Sequence, residues 1–259
     1  MTRRPSRPAR VLAPALAATV LLTCAACSDD DKDAGASAIG ASPLAADSPT
    51  ASAAARLTEA GARQALITET DLEDDWTQVE DAATWRDSLL VGKVDVADFL
   101  TAKADAADCQ KLLDGLYSDT LLGEPSGASA LTGFKEEDSR LLYQVGAYGQ
   151  AGLDASLAWL KSLPAKCDQF TAVDSAGDRR TVQVTEASLP EEGDARQGLR
   201  VTVQGTSGGT PATLTLDVAA VRVGTDAITV TAGGLDGDED DSVEDAVRAG
   251  TKRLDDVLS

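Results

Sequence analysis

Residues 199–218, LRVTVQGTSGGTPATLTLDV, decide the fold, because apolar and polar side chains alternate along most of their length. Alternation with a period of two is typical of a β-strand that has one buried face. It holds over residues 199–204 and again over residues 213–218, and the glycine-rich residues 205–211 between them predict a turn. The stretch therefore predicts two neighbouring strands of an antiparallel sheet.

The alternation continues on both sides of this pair of strands. Residues 181–185 alternate before it, and residues 221–223 and 227–231 follow it. The second half of the chain therefore predicts an antiparallel meander with one polar, threonine-rich face. Ala219 and Ala220 shift the phase of the alternation, which predicts a bulge or a bend at this point.

The remaining segments show helical spacing of apolar residues or further short strands. Ser242, with Asp245 three residues later, predicts the cap of a last helix, and Pro164 predicts the end of an earlier one. Residues 85–94 predict a strand or an irregular crossing. The other predicted elements are helices over residues 56–70, 96–117 and 153–163 and a strand pair over residues 131–135 and 140–148. This order predicts an α+β fold, an antiparallel sheet with three to four helices packed on it.

The first 26 residues have the pattern of an export signal. Four arginines precede an apolar run at residues 11–23, which is too short to cross a bilayer as a helix and is typical of a signal peptide. Small residues then lead to Cys27, so we predict removal of residues 1–26 and addition of a diacylglycerol to Cys27. The alternatives are lipidation of Cys24, cleavage without lipidation, and export through a twin-arginine signal.

A polar segment separates Cys27 from the rest of the chain. Residues 28–55 consist mostly of Ala, Ser, Asp, Gly and Pro without an apolar period, so they predict a flexible tether with a span of roughly 30 Å. Two acyl chains on Cys27 would anchor it stably in a membrane. The sequence therefore predicts a signal over residues 1–26, a lipidated tether over residues 27–55, and an α+β domain over residues 56–259 on the extracytoplasmic face of the cell membrane.

Composition argues against several classes of function. The chain contains no histidine, so it lacks the usual general base of serine and cysteine hydrolases and the commonest transition-metal ligand. The signal holds four of the 23 basic residues and none of the 43 acidic ones, which leaves a net charge of −24 that would repel nucleic acids. We therefore predict no catalytic residue, no metal site, no cofactor and no nucleic-acid partner, and we expect a monomer.

Cys109 and Cys167 are the two cysteines of the predicted domain. Two cysteines in an oxidising compartment most often form a disulfide. The bond would join the second predicted helix to the residues after the third, and closing a loop of 58 residues would stabilise the fold by roughly 4 kcal/mol. The alternative, a redox-active dithiol, lacks the C-x-x-C spacing.

Two acidic clusters allow a functional interpretation beside a structural one. Residues 236–244 begin like a calcium loop, but the positions that need Gly and a bidentate Glu hold Asp241 and Val247. Weak Ca²⁺ binding is therefore the minor alternative to an exposed acidic turn. Residues 69–75 hold several carboxylates near Trp76, which leaves a carboxylate-based hydrolase as an alternative.

Residues 65–77, ALITETDLEDDWT, resemble the L-T-x-x-D-L-P-x-G-W opening common in actinobacterial lipoproteins. Together with the two helices near the cysteines, the meander and the last helix, they make residues 56–259 similar to the PknH-like extracellular sensor domain family. Residues 73–75 replace the usual Pro-x-Gly, and the cysteines for a second disulfide found in kinase members are missing. The resemblance implies a cleft between helices and sheet that binds a ligand, and it transfers no binding residue.

These observations predict a non-enzymatic lipoprotein, attached to the membrane by the lipid on Cys27, whose domain binds a small molecule or a cell-surface protein. The alternative is a carrier of lipid or another apolar molecule between membrane and cell wall, and a carboxylate-based hydrolase is the third class. A carrier would need an internal cavity, whereas we expect the interior leucines to fill a core. These residues are Leu112, Leu116, Leu157 and Leu160.

Overall fold

A computed structural model describes residues 56–72, 75–80, 82, 85, 94–99, 106–174, 177–207, 209–235 and 239–259. The predicted signal peptide, Cys27 and the tether lie outside the described residues, as does nearly all of the crossing predicted over residues 85–94. The boundaries of the three predicted segments and the lipidation therefore stay predictions. Within the described part of the chain, no helix is both long and apolar enough to cross a bilayer.

The described residues form nine strands in one antiparallel sheet, which confirms the predicted α+β fold. The strands are β1 Thr77–Val79, β2 Val94–Phe99, β3 Ser129–Glu136, β4 Ser139–Ala147, β5 Gln169–Asp174, β6 Arg179–Ala187, β7 Ala195–Ser207, β8 Thr210–Val223 and β9 Asp226–Gly234. Their order across the sheet is β1-β3-β4-β9-β8-β7-β6-β5-β2. Strands β5 to β9 are therefore neighbours in sequence order, and β6 to β9 form the predicted meander.

Four α-helices pack on this sheet, α1 Glu59–Gln64, α2 Ala106–Gly115, α3 Gln150–Lys166 and α4 Asp240–Leu258, and Glu69–Asp71 forms a short 3₁₀ turn. The first helix is shorter than the residues 56–70 that were predicted. Thr68 is extended, and its backbone N–H donates to the Asp71 carboxylate at 2.7 Å, which starts the separate 3₁₀ turn. Such side-chain bonds to the backbone compete with a continuing helix.

The helix predicted over residues 96–117 is wrong in its first part. Strand β2 occupies that part and pairs with β5, a strand that the sequence analysis did not predict. The register between the two strands shifts between Val96 and Asp98. An irregularity of this kind interrupts the period-two pattern, and the apolar residues of β2 then match helical spacing by coincidence.

Pro164 does not end α3, contrary to the prediction. The helix continues to Lys166, and the Cys167 N–H donates to the Leu163 carbonyl at 2.7 Å. A proline this close to the end of a helix interrupts little of the hydrogen-bond ladder after it. The full burial of Leu163 and Cys167 holds the last turn in place.

Ser242 does not cap α4, because the helix begins earlier, at Asp240, with Glu239 as its N-cap. The Ser242 hydroxyl donates instead to the Glu239 carboxylate at 3.3 Å and accepts from the Trp76 indole N–H at the same distance. Ser242 therefore connects the start of α4 to the loop before β1.

The hairpin of β7 and β8 is longer than predicted. Its register is unbroken along the whole of β7, so the turn predicted over residues 205–211 is wrong in length. At the tip, Gly209 has φ +82°, a backbone conformation that glycine adopts at little cost. The threonines on either side extend the strands, as expected for β-branched residues.

The bulge predicted at Ala219 and Ala220 is also wrong, since the pairing with β7 and β9 passes both residues without a shift. The phase changes because both faces of the sheet become covered at this point. Ala220 packs with Val218 in the cluster beneath α3, whereas Ala219 packs with Val221 in the cluster beneath α4. A strand that is buried on both faces needs no alternation.

Two buried clusters lie on opposite faces of the sheet. Helices α2 and α3 cover one of them, and the interior leucines predicted to fill a core belong to it, namely Leu112, Leu116, Leu157 and Leu160. The predicted disulfide between Cys109 and Cys167 lies in the same cluster and joins α2 to the end of α3. Helices α1 and α4 cover the other face.

The polar face predicted for the meander is the part of the α4 face that continues over β6 and β7. Helix α4 packs on β8 and β9. On β6 and β7, Gln183, Thr185 and Gln204 are exposed on that face. The alternation that decided the fold therefore reports the uncovered part of the sheet.

Candidate functional site

The turn between β8 and β9 is held in place by both of its central residues. Gly224 has φ +61°, as the first central residue of a two-residue hairpin turn often requires. Its N–H donates to the Asp194 carboxylate at 2.7 Å. The Thr225 carbonyl accepts from the Tyr148 N–H at 3.0 Å. The turn therefore presents the next residue, Asp226, from a fixed backbone.

Two adjoining hollows flank this turn, with volumes of about 480 and 390 Å³. Arg56, Thr225 and Asp226 line both, so the hollows form one surface, which we call the Asp226 groove. The larger hollow is completed by Leu57, Ser126, Gly127, Ala147 and Tyr148. The smaller one is completed by Val223, Gly224, Asp255, Leu258 and Ser259.

Asp226 is the distinctive residue of the groove. It is 4% exposed. No hydrogen bond or ion pair joins its carboxylate to another described residue. Burial raises the pKa of this carboxyl above its usual value. Polar groups buried in proteins are nearly always bonded, so a buried carboxyl without a partner at the wall of a cavity is a candidate ligand contact.

The other polar groups of the groove are less buried. Burial raises the pKa of Tyr148 to about 12, with further contributions from Asp119 and Glu124, so its hydroxyl stays protonated at neutral pH. Arg56 is exposed and, among the ion pairs of the described residues, has none with Asp226. Asp255 is exposed on α4 at the smaller hollow.

A second buried carboxyl, Asp217, lies near the other end of α4 and is fully partnered. The guanidinium of Arg200 donates to it from Nε at 2.8 Å and from Nη2 at 3.1 Å. The Glu239 N–H donates to it at 3.4 Å. The Arg200 pair joins β7 to β8. The bond from Glu239 joins the sheet to the N-terminal end of α4, so Asp217 has a structural role.

The two acidic clusters of the sequence do not form a site in the described part of the chain. Residues 236–238, the centre of the calcium-like loop, lie outside it. Among the described residues, no three side chains of the metal-ligating types lie close enough together to hold an ion. The weak Ca²⁺ site predicted as a minor alternative therefore finds no support in these residues.

In the other acidic cluster, Glu69 and Asp71 have structural partners. The Gln78 N–H donates to Glu69 at 2.7 Å. Burial opposes the ionisation of Asp71, but hydrogen bonds from Thr68 and Arg253 outweigh it and lower the pKa of this carboxyl. Asp71 therefore fastens the 3₁₀ turn to α4, and these two carboxylates do not form a catalytic pair.

A larger hollow of about 650 Å³ lies between the end of β6 and the start of β7. Its buried polar side chain, Gln197, already donates to the Gly198 carbonyl at 3.0 Å. Arg196 beside it is paired with Glu191. Because these groups have partners within the protein, the hollow offers less to a ligand than the Asp226 groove.

Sequence reasoning named none of the groove residues as a site. It left residues 224–226 in the gap between the alternating stretches 221–223 and 227–231. The available signal was an acidic residue, Asp226, directly before the alternating stretch 227–231. In the structure Asp226 is the first of the nine residues of β9, all of which are buried. An acid that opens a fully buried strand requires either a partner or a function.

Comparison with solved structures gives matches to mycobacterial proteins. The extracellular domain of PknH from Mycobacterium tuberculosis matches over 79% of this chain and 98% of that domain, with 13% identity and a TM-score of 0.44. An uncharacterised Mycobacterium smegmatis protein, the Rv0999 ortholog, matches over 74% of this chain and 100% of that protein, with 16% identity and a TM-score of 0.32. No protein-family model and no curated protein matches the sequence.

The first match is an extracellular domain of PknH, and the resemblance of residues 56–259 was to the PknH-like extracellular sensor domain family. Identities and TM-scores this low transfer no ligand, partner or binding residue to the present chain. The functional argument therefore rests on the residues of the Asp226 groove.

Proposed function

We propose that the chain is an extracytoplasmic binding module, anchored to the membrane by a lipid on Cys27, and that the Asp226 groove is its ligand site. The observation that carries the proposal is the buried carboxyl of Asp226, which lines two adjoining hollows without a partner among the described residues. The export signal and the polar tether of the sequence support the location.

The make-up of the groove suits binding. Ligand sites are concave and combine apolar walls with a few polar groups that fix orientation. Leu57 and Leu258 supply apolar wall, and Ser126 and Thr225 supply hydroxyls. The fixed backbone of the β8–β9 turn places the acid without a cost in ordering, which favours affinity.

Blocking the groove tests the proposal. Thr225 is exposed at the turn, so Thr225→Trp would fill the mouth of the groove, and Thr210→Trp, at the exposed tip of the β7–β8 hairpin, is the matched control. We would screen small cations, anions and neutral compounds for their effect on the Tm of the mature chain. A ligand at 100 times its Kd adds about 2.7 kcal/mol, which shifts the Tm of a domain of this size by several degrees.

We expect at least one compound to stabilise the unmodified chain and Thr210→Trp but not Thr225→Trp. If every stabilising compound acts equally on both tryptophan variants, the groove is not the ligand site.

The anchor is tested separately, by the intact mass of the protein purified from its native membrane. We expect the mass of a diacylglycerol on Cys27, and we expect Cys27→Ser to be released from the membrane. An unmodified, soluble native product would contradict the anchored location and leave the groove proposal unchanged.

A further inference from the structure

The surroundings of Asp226 restrict the chemistry of its ligand, given the proposed binding function. Moving an ionised carboxyl out of water is costly unless a positive or hydrogen-bond-donating group compensates. Asp226 has no such group among the described residues. A ligand that supplies a positive charge and N–H donors would therefore gain more at this position than a neutral or anionic one.

The atoms around the acid fit an ammonium group. An ammonium carries three donors. Ser126 and Thr225 line the same hollow as Asp226, so two hydroxyl oxygens can accept beside the carboxylate. A metal ion fits less well, because hard cations take about six oxygen ligands and no group of three metal-ligating side chains occurs among the described residues.

An anion fits the groove poorly. Among the described residues that line the two hollows, Arg56 is the one basic side chain, it is exposed, and Asp226 and Asp255 oppose it. The formal charge of the whole chain, −20, attracts cations and repels anions at long range.

We infer that the Asp226 groove binds a compact organic cation, a primary ammonium on an apolar carbon chain, with the ammonium on Asp226 and the chain against Leu57 or Leu258. The inference specifies the ligand of the proposed function. Arg56, which lines both hollows without an ion pair to Asp226, then repels the charge of the ligand and takes no part in recognition.

Three probes of equal length test this inference, namely n-butylammonium, 1-butanol and butyrate. We would follow the backbone amide signals of the mature chain, residues 27–259 with Cys27→Ser, by NMR titration up to 100 mM of each probe. We expect butylammonium to shift the signals of Thr225, Asp226 and Tyr148. We expect 1-butanol and butyrate to bind at least about tenfold more weakly, the factor that one charge-assisted hydrogen bond supplies.

Variants separate the role of Asp226 from the general negative charge. We expect Asp226→Asn to weaken butylammonium binding at least about tenfold. Asp241→Asn is the charge-matched control, because this exposed acid lies roughly 20 Å along α4 from Asp255 and should leave binding unchanged. Arg56→Gln removes a positive charge from the lining of the groove, so it should strengthen butylammonium binding a few-fold.

A pH series adds an independent readout. Among the described residues, the ionisable side chains that line the groove with Asp226 are those of Arg56, Tyr148 and Asp255. Tyr148 stays protonated and the amine of the probe stays charged between pH 7 and pH 4. As the pH falls, protonation of Asp226 should weaken butylammonium binding. Because the pKa of Asp226 is raised, this loss should begin at a higher pH than it would with an ordinary carboxyl.

The outcomes distinguish this inference from the proposed function. If butyrate binds and Arg56→Gln abolishes its binding, the inference of a cationic ligand is wrong, and the groove is instead a site for anions. Equal losses in Asp226→Asn and Asp241→Asn would reduce butylammonium binding to general charge attraction and overturn the inference. No groove shift with butylammonium at 100 mM would also overturn it, and the tryptophan variants would then decide whether the groove binds any ligand.

Discussion

The two ends of α4 cover two buried carboxyls that have opposite surroundings. Near its N-terminal end, Asp217 is 3% exposed and is bonded by Arg200 and by the Glu239 N–H. Near its C-terminal end, Asp226 is 4% exposed and has no partner among the described residues. Both side chains lie on the same face of the sheet. Asp217 therefore connects structural elements, whereas Asp226 is available to a ligand.

The difference teaches that burial alone does not identify a functional acid. A buried carboxylate with charge-assisted bonds stabilises the fold relative to one that has lost its partner, whereas a lone buried carboxylate destabilises it. Destabilising residues of this kind concentrate at binding sites, where activity is retained at the expense of stability. Replacement of the acid by Asn should therefore lower the free energy of unfolding at Asp217 and raise it at Asp226.

The largest expected effect tests whether the groove is independent of the opposite face of the sheet. Replacing Cys109 and Cys167 together by Ser removes the disulfide, and the loop of 58 residues predicts a loss of roughly 4 kcal/mol in the free energy of unfolding. We expect denaturant titration to show this loss. The butylammonium shifts at the Asp226 groove should persist in the folded variant, and their disappearance would show that the two faces are coupled.

The next effect concerns the partnered acid. Asp217→Asn would leave Arg200 without its bidentate partner, and we expect a loss of about 2 kcal/mol in denaturant titration. The expected loss is below that of a fully buried pair because the Arg200 side chain is 32% exposed and solvent screens it. The double variant with Arg200→Gln should recover part of the stability, and a double variant that is as unstable as the sum of the single variants would show that the pair does not interact.

The fold followed from the sequence where the chain has one covered face. Alternation reports burial on one side, so it identified β6 and β7, whose uncovered polar face gave the pattern, and the first part of β8, where Thr213 is exposed. It was misleading at Ala219 and Ala220, where both faces are buried and the alternation ends without a bulge. It also failed at β2, where a shifted register removed the period, and such a register depends on the partner strand.

The groove could not be predicted in the same way. Its residues come from segments near Arg56, Ser126, Tyr148, Thr225 and Asp255, and the sheet order brings these segments together. The partner status of a carboxyl is likewise a tertiary property. By contrast, the disulfide was predictable because two cysteines allow a single pairing within the domain.

The smallest expected effect is that of Asp226→Asn on the free energy of unfolding. It tests the comparison most specifically, because its sign is opposite to that of Asp217→Asn. The pKa of Asp226 is raised in the folded protein, so the folded state binds the proton more tightly than the unfolded state does. The free energy of unfolding therefore loses a contribution as the pH rises through the raised pKa, and it regains this contribution in full below the unfolded pKa.

Asn resembles the protonated acid, so we expect Asp226→Asn to be more stable than the unmodified chain by about 1 kcal/mol at pH 7 and nearly equal to it at pH 3. Denaturant titrations at the two pH values measure the difference, and Asp241→Asn controls for the removal of a negative charge. A variant less stable than the unmodified chain at pH 7 would mean that the acid has a stabilising partner in solution, as Asp217 has, and the contrast between the two ends of α4 would no longer hold.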